Sequence, residues 1–304
     1  MTKVIEAEGG FKVWWHLMRP HTLTASFAPV LLGTAIAAVE GYKLNFFMFL
    51  AMLVASLLIQ AATNMFNEYY DFKRGLDNEN SVGIGGTIVR HGVAPRTIMI
   101  IALSFYFVAM LLGVYICANS SWWLVAIGLV CMLIGYLYTG GPFPIAYSPF
   151  GELVSGAVMG MGIVLISFFI QSKTVTFDAV LISVPSMILV GAIMLSNNIR
   201  DIVGDTEGGR KTLAILVGRS AAVNILASFF IVSFAWIIGL ILLNKLTWFA
   251  LIVFLCLKKP IAAVKLFKAK EIPLEVMPAM KWTAQTNTFF VFLLAIALGL
   301  SLLV

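Results

Sequence analysis

The chain has 304 residues, of which 61% are hydrophobic and 11% are charged, and its mean hydropathy is +1.00. A soluble domain typically carries about 25% charged residues, so a soluble globule of this composition would lack the polar groups needed to cover its surface. Composition therefore excludes the disordered, collagen-like, disulfide-stapled and nucleic-acid-binding classes. We expect a multi-span membrane protein with no nucleic-acid partner, whose net charge of +6 has a topological cause.

Nine apolar runs approach the roughly 20 residues that a helix needs to cross a bilayer. The eighth run is the weakest, because its apolar core, 246–257, leads directly into Lys258 and Lys259. Backbone groups in lipid must hydrogen-bond within their own segment, so the runs predict an all-α, multi-span transmembrane helix bundle that forms one integral membrane domain over residues 1–304. The predicted spans are 22–40, 46–66, 97–117, 121–138, 152–171, 178–199, 220–243, 246–264 and 284–303.

The distribution of basic residues predicts the orientation of these spans. With a cytoplasmic N-terminus, all of the 20 Lys and Arg residues except Lys43, Lys173 and Lys245 fall in cytoplasmic segments. Cytoplasmic loops of membrane proteins carry such an excess of Lys and Arg. An odd number of spans then places the C-terminus on the extracytoplasmic side of the cell (plasma) membrane.

Acidic residues are concentrated at two predicted span ends, both on the cytoplasmic side. At the end of the second span, Asn64, Asn67 and Asp71 follow one another by steps of three and four residues. If the helix continues, these side chains share one face. Gly75 permits a turn that would bring Asp77 back toward the same face.

The second acidic stretch follows the sixth span and has the same periodicity. Asn197, Asp201 and Asp205 are separated by steps of four residues, so a continuing helix again presents them on one face. Acids near a bilayer are costly and require a compensating charge. We expect the two polar faces, which come from different helices, to converge on one site at the cytoplasmic side.

Oxygen ligands without His or Cys favour a hard cation such as Mg²⁺ over zinc. Magnesium in proteins is usually held by one or two carboxylates together with substrate phosphates. Acids that hold a metal, next to bases that bind anionic oxygen, predict a phosphate or diphosphate site. The basic residues near the two stretches are Lys73, Arg74, Arg90, Arg200, Arg210 and Lys211.

At these residues the sequence resembles the UbiA superfamily of intramembrane prenyltransferases. Asn67, Asp71 and Asp77 match its N-x-x-x-D-x-x-x-x-x-D motif, and Asp201 and Asp205 match its D-x-x-x-D motif. The segments 67–90 and 196–219, together with YTGGPFP at 138–144, are similar to the menaquinone-pathway branch of the family, which prenylates 1,4-dihydroxy-2-naphthoate. The resemblance covers essentially the whole chain and implies the UbiA-type fold of about nine helices.

The resemblance also implies a reaction. A polyprenyl group passes from polyprenyl diphosphate to 1,4-dihydroxy-2-naphthoate, with loss of CO2 and diphosphate, giving demethylmenaquinone. Two Mg²⁺ ions would join the diphosphate to Asp71 and Asp77 on one side and to Asp201 and Asp205 on the other. Membrane lipid would surround the bundle, and the active site would face the cytoplasm.

Further site residues are expected beside the motifs. By the resemblance, Asn67 and Asn197 would help to orient the metals or the diphosphate, and Glu68 is a further candidate metal ligand. Arg90 and Lys211 are the leading candidates for diphosphate contact. The Gly- and Pro-rich loop 139–147 is unsuited to a regular helix and is expected to frame the acceptor pocket. The remaining predicted substrate-binding residues are Lys73, Arg74, Arg200, Tyr138 and Tyr147.

Several alternatives stay open. The acceptor is alternatively another aromatic acid such as 4-hydroxybenzoate or homogentisate. A cation-coupled transporter is a remote alternative, because both acidic motifs follow an even-numbered span and an inverted repeat would need opposite orientations. A phosphatidyl-group transferase would need a D-G-x-x-A-R signature, which the sequence lacks. Gly156, Gly160 and Gly162 suit either a groove for the prenyl tail or close helix packing.

Overall fold

The structure is a computed structural model that describes residues 10–76 and 87–303, apart from the side chains of residues 11, 12, 20 and 21. Within these ranges the secondary structure is helical and contains no β-strand, which confirms the all-α prediction. The α-helices are α1 (Phe11–Leu17), α2 (Pro20–Val39), α3 (Phe46–Lys73), α4 (Thr87–His91), α5 (Pro95–Asn119), α6 (Trp123–Leu137), α7 (Gly151–Ser155), α8 (Ile163–Ser172), α9 (Phe177–Glu207), α10 (Leu213–Val217), α11 (Arg219–Leu242), α12 (Lys258–Ala269) and α13 (Pro273–Ser301).

Side chains cap the first turns of the two helices that carry the acids. Asn45 Oδ1 accepts from the N–H of Met48 at 3.1 Å before α3, and the hydroxyl of Thr176 accepts from the N–H of Ala179 at 3.1 Å before α9. Such caps satisfy donors that the first helical turn leaves without a partner. After α3, Gly75 has a φ of 74°, so the expected turn is present, and glycine adopts it without steric cost.

Seven helical segments in the described part of the chain are long and apolar enough to cross a membrane. The fourth predicted span corresponds to α6, which has only 15 residues. The prediction of one continuous helix over 246–264 is wrong, because a 3₁₀ helix over Trp248–Cys256 is followed by α12 from Lys258. Pro260 lies in the first turn of α12, where its missing N–H is tolerated, whereas a helix running through that position would lose a hydrogen bond.

Helices α3 and α9 extend beyond their predicted apolar spans. Helix α3 continues to Lys73 and α9 to Glu207, so both acidic stretches begin on regular helix. In an apolar stretch of 18 residues within α9, 67% of the residues are buried inside the bundle, compared with 17% in the corresponding stretch of α5. The apolar part of α9 therefore runs through the interior, whereas α5 lies at the periphery.

Two of the small residues in the fifth span mediate close helix packing. A π-helical segment, Gly156–Gly162, joins α7 to α8. A Cβ atom added to Gly156 would lie 2.4 Å from the carbonyl oxygen of Met187, and one added to Gly160 would lie 2.5 Å from that of Ser186. Glycine at these positions lets the segment approach the backbone of α9. Of the two predicted roles, a groove for the prenyl tail or close helix packing, Gly156 and Gly160 therefore have the second.

Candidate active site

A cavity of about 960 Å³ lies inside the bundle. Residues of α2, α3, α5, α6, α9 and the α7–α8 segment line it. Where α3 and α9 end, the lining is polar; along α5 and α6 it is almost entirely apolar. The predicted site residues that line the cavity are Asn67, Asp71, Arg74, Tyr138, Asn197, Arg200, Asp201 and Asp205.

The polar face of α3 points into this cavity, as its periodicity predicts. Asn64, Asn67 and Asp71 all line the wall. The Oδ1 atom of Asn67 accepts a hydrogen bond from the hydroxyl of Thr139 at 2.6 Å. This bond ties α3 to the loop after α6 and fixes the orientation of the Asn67 amide.

Arg210 joins the two acidic helices. Its Nη2 lies 2.7 Å from Asp71 Oδ1, and its Nη1 lies 3.0 Å from Asp205 Oδ1. Burial opposes the positive charge, but the carboxylates of Asp71 and Asp205 outweigh that effect and raise the pKa of Arg210, so the guanidinium stays charged. Two carboxylates from different helices therefore converge on one cation.

Asp201 lies on the same cavity wall with a different partner. Arg200 Nε donates to Asp201 Oδ1 at 2.6 Å, and Arg200 Nη2 donates to Oδ2 at 2.5 Å. The Asp201 side chain is 36% exposed. The preceding residue therefore neutralises this carboxylate in a bidentate pair, which must open before Asp201 can bind another cation on both oxygens.

The loop between α6 and α7 is attached to both acidic regions. Arg74, which caps α3, donates to the carbonyl oxygens of Thr139 and, at 2.8 Å, Gly141. The N–H of Lys211 donates to the carbonyl oxygen of Tyr147 at 3.0 Å. The Tyr147 ring packs against the guanidinium groups of Arg74 and Arg210, 5.3 and 5.1 Å from its centroid. The loop therefore closes one side of the polar end.

The match to known proteins extends over most of the chain. Residues 26–274 match the UbiA prenyltransferase family. The chain belongs to this family. Family membership and the apolar helices together make it a multi-pass membrane protein.

Individual UbiA relatives agree with this assignment. A 1,4-dihydroxy-2-naphthoate octaprenyltransferase of Bacillus subtilis (strain 168) is 60% identical over 290 residues, which are 95% of this chain and 93% of the relative. A UbiA homologue from Aeropyrum pernix K1, solved in its apo form, has a TM-score of 0.68 at 15% identity and covers 93% of this chain and 98% of its own. A UbiA homologue from Archaeoglobus fulgidus bound to GPP and Mg²⁺ has a TM-score of 0.66 at 14% identity, over 93% of this chain and 99% of its own. At these identities the two structures establish a shared fold.

The polar end has the donor chemistry that a hard divalent cation requires. Asp205 Oδ2 is buried and has no hydrogen-bond partner among the described residues. Carboxylate oxygens are the ligands that Mg²⁺ prefers. No group of three or more His, Cys, Asp or Glu side chains gathers within 10–76 and 87–303, and Asp77, a predicted ligand, lies outside these ranges. The described part of the site therefore offers Asp71, Asp205 and, once its bond to Arg200 opens, Asp201.

Among the residues that the structure describes, five predicted site residues do not line the cavity. Glu68 is buried, accepts from the N–H of Ile88 at 3.2 Å and lies 3.7 Å from Arg19, so its carboxylate is turned toward α4. Its expected metal role is not supported by this placement. Lys73, Arg90 and Lys211 have exposed side chains outside the lining, and Tyr147 lies behind Arg74 and Arg210.

The sequence predicted Lys211 as a diphosphate contact, whereas the structure places its neighbour, Arg210, in the site. Arg210 follows the helix end at Gly208 and Gly209, and only the path of that turn decides which basic side chain points inward. Sequence reasoning also missed Arg19, which lines the cavity from the start of α2. Its position directly before the first span is typical of a basic residue that orients the span in the membrane. No local signal distinguishes such a residue from one that lines the cavity.

Proposed function

We propose that the protein transfers a polyprenyl group from polyprenyl diphosphate to 1,4-dihydroxy-2-naphthoate, with loss of CO2 and diphosphate, to give demethylmenaquinone. The 60% identity to the Bacillus subtilis 1,4-dihydroxy-2-naphthoate octaprenyltransferase, over 95% of this chain, carries the choice of acceptor. The convergence of Asp71 and Asp205 on one guanidinium supports a diphosphate site at the polar end.

Asp71, Asp77, Asp201 and Asp205 would hold magnesium, with two ions as our proposal for their number. When bound, magnesium supplies charge that stabilises the departing diphosphate. Asn67 and Asn197 line the same wall and would orient the diphosphate or the ligands of the metal.

The protein's own arginines are positioned to bind diphosphate oxygens. In the structure, Arg200 neutralises Asp201, and Arg210 pairs with both Asp71 and Asp205. Bidentate guanidinium groups suit phosphate oxygens as well as carboxylates. We expect both side chains to exchange a carboxylate oxygen for a diphosphate oxygen when the donor substrate binds.

The rest of the cavity would protect the allylic cation that forms when diphosphate leaves. Water would capture such a cation, so the reaction requires a dry chamber. The wall along α5 and α6 provides apolar residues, including Val114, Leu124 and Leu129, for the prenyl tail. Tyr138 lines the cavity, and an aromatic ring face stabilises a nearby cation.

We propose that this site opens toward the cytoplasm, with the N-terminus on that side and the C-terminus outside. The distribution of Lys and Arg supports this orientation. The Asp71–Arg210–Asp205 bridge supports the placement of both acidic ends on one side.

A reconstituted assay tests the activity. Purified protein is given octaprenyl diphosphate, Mg²⁺ and one aromatic acid at a time, and the products are identified by mass spectrometry. We expect a decarboxylated, prenylated product with 1,4-dihydroxy-2-naphthoate, its loss on EDTA treatment and its recovery with excess Mg²⁺. Faster turnover of 4-hydroxybenzoate or homogentisate would reject the acceptor, and turnover after thorough chelation would reject the metal dependence.

A further inference from the structure

The proposed acceptor carries a carboxylate into a cavity at membrane depth, where an unpaired charge is costly. The site needs a cation for this group in addition to those that meet the diphosphate. In the described residues, the basic side chains that line the cavity are four arginines: Arg19, Arg74, Arg200 and Arg210. The inference below rests on the proposed function and concerns which of the four meets the acceptor.

Three of these guanidinium groups already have strong acceptors. Arg200 forms a bidentate pair with Asp201, and Arg210 bridges the two acidic helices. Arg74 donates to two carbonyl oxygens of the loop after α6. Arg200 and Arg210 are also the cations beside the proposed diphosphate site, and Arg74 positions the loop. None of the three is therefore suited to bind the carboxylate of the acceptor as well.

Arg19 has weaker contacts. Its Nη2 lies 3.7 Å from Glu68 Oε2, longer than a charge-assisted hydrogen bond. Its Nε is buried and has no hydrogen-bond partner in the part of the chain that the structure describes. Its side chain is 22% exposed and lines the cavity. The guanidinium therefore has donor capacity near the reaction centre.

The backbone of Arg19 is held in an uncommon conformation. Its φ of 50° and ψ of 65° are left-handed, a region that non-glycine residues rarely occupy. Asn64 Nδ2 donates to the carbonyl oxygen of Met18 at 2.8 Å. The hydroxyl of Thr22 donates to the carbonyl oxygen of Arg19 at 2.9 Å. Strained residues that are fixed by their surroundings concentrate at binding sites.

Polar side chains continue from Arg19 along the same wall. The hydroxyl of Ser26 donates to Gln60 Oε1 at 3.4 Å, and Gln60 Nε2 donates to Asn64 Oδ1 at 3.3 Å. All three side chains line the cavity. Asn64 is seven residues from Asp71 on α3, a helical rise of about 10 Å. This wall offers hydrogen-bonding partners to ring hydroxyls, whereas α5 and α6 offer apolar contacts.

We propose that Arg19 binds the carboxylate of the aromatic acceptor, with the ring lying along the wall formed by Ser26, Gln60 and Asn64. Arg19 and the acidic end would then hold the two substrates on opposite sides of the reacting carbons. Arg19 thereby sets the preference for an aromatic acid over the corresponding phenol.

The test compares Arg19→Gln with the wild type and with Lys265→Gln, which removes an exposed charge from α12 outside the cavity. Michaelis constants are measured for each substrate. Binding of 1-hydroxy-2-naphthoate and of 1-naphthol to protein in nanodiscs is measured separately. In Arg19→Gln we expect the KM for 1,4-dihydroxy-2-naphthoate to rise about ten- to hundredfold, as for loss of a charged hydrogen bond, with the KM for octaprenyl diphosphate unchanged. Thermal unfolding checks that the variant folds, because Glu68 loses the guanidinium beside it. Lys265→Gln should match the wild type.

The binding pair separates this inference from the proposed activity. The wild type should prefer 1-hydroxy-2-naphthoate to 1-naphthol, and Arg19→Gln should lose that preference even if no naphthoate is turned over. A retained preference, or an equal rise in the KM of both substrates, would overturn the assignment of Arg19.

Glu68→Gln decides the question should Arg19→Gln fail to fold. This variant keeps an acceptor for the N–H of Ile88 and removes the anion that shares the guanidinium. We expect its preference for 1-hydroxy-2-naphthoate over 1-naphthol to increase. An unchanged or smaller preference would contradict the role of Arg19.

Discussion

The cavity has a charged end, where α3 and α9 finish, and an apolar wall along α5 and α6. At the charged end the three aspartates that line the cavity each have a guanidinium partner: Asp71 and Asp205 share Arg210, and Asp201 pairs with Arg200. The apolar wall consists of aliphatic, sulfur-containing and glycine residues. Polar groups at membrane depth need specific partners, whereas apolar groups need only space.

The two regions should therefore respond differently to mutation. At the charged end, removing one partner leaves another charge buried and unmatched, so the effect spreads through the network. Along the apolar wall, a substitution changes volume and affects chiefly the part of the tail that it touches.

The largest effect is expected from Asp71→Asn or Asp201→Asn. Each removes a charge from the proposed metal and diphosphate site, and kcat should fall about a hundredfold or more, a loss typical of removed electrostatic stabilisation. The measurement is steady-state kinetics with one substrate varied at a time, and thermal unfolding checks that each variant folds. The control is Asp178→Asn, at the opposite end of α9, where the carboxylate pairs with Lys245 at 2.8 Å. Near-wild-type rates in either acidic-end variant would remove that aspartate from the site.

The second prediction compares two adjacent basic residues. Arg210→Gln leaves Asp71 and Asp205 without their shared cation, so activity should fall. The free energy of unfolding should also fall, by about 3–5 kcal/mol, as for a broken buried ion pair. Lys211→Gln alters an exposed side chain and should leave both measurements near wild type. Equal losses in the two variants would show that the contacts of Arg210 do not explain its role.

A smaller effect on stability is expected from Gly160→Ala. The added Cβ would lie 2.5 Å from the carbonyl oxygen of Ser186, so overpacking should cost about 1–3 kcal/mol, measured by thermal unfolding. Gly239→Ala is the matched control, because the space around Gly239 is open on α11. That substitution should stabilise slightly through helix propensity. A neutral result at Gly160 would contradict close packing against α9.

The smallest effect is expected at the apolar wall. Gly128 lines the cavity on α6, and an added Cβ would meet nothing within 4 Å. Gly128→Phe should raise the KM for octaprenyl diphosphate several-fold and leave that for geranyl diphosphate unchanged, because a ring there occupies space needed only by a longer tail. Gly299→Phe, on α13 outside the lining, is the control. An equal change for both donors would place the tail elsewhere.

The length of the apolar runs was enough to predict the fold class, and helix periodicity was enough to predict the polar faces of α3 and α9. Apolar runs of about 20 residues specify helices in lipid, and steps of three and four residues specify which side chains share a face. Asn67, Asp71, Asn197 and Asp205 accordingly line one cavity. The sequence marked 246–264 as the weakest span, but not the point where the helix restarts near Pro260, because composition measures apolarity and does not register where a helix must begin again.

What the sequence determined by itself is local: the helical segments and the acids on each helix face. Only the tertiary structure decided which partners meet. It directed Arg210 rather than Lys211 toward the acids, turned Glu68 toward Arg19 and packed Gly160 against α9. The physical reason is range: a helix face follows from residues within a few turns, whereas an ion pair or a backbone contact between helices depends on the path of every loop between them.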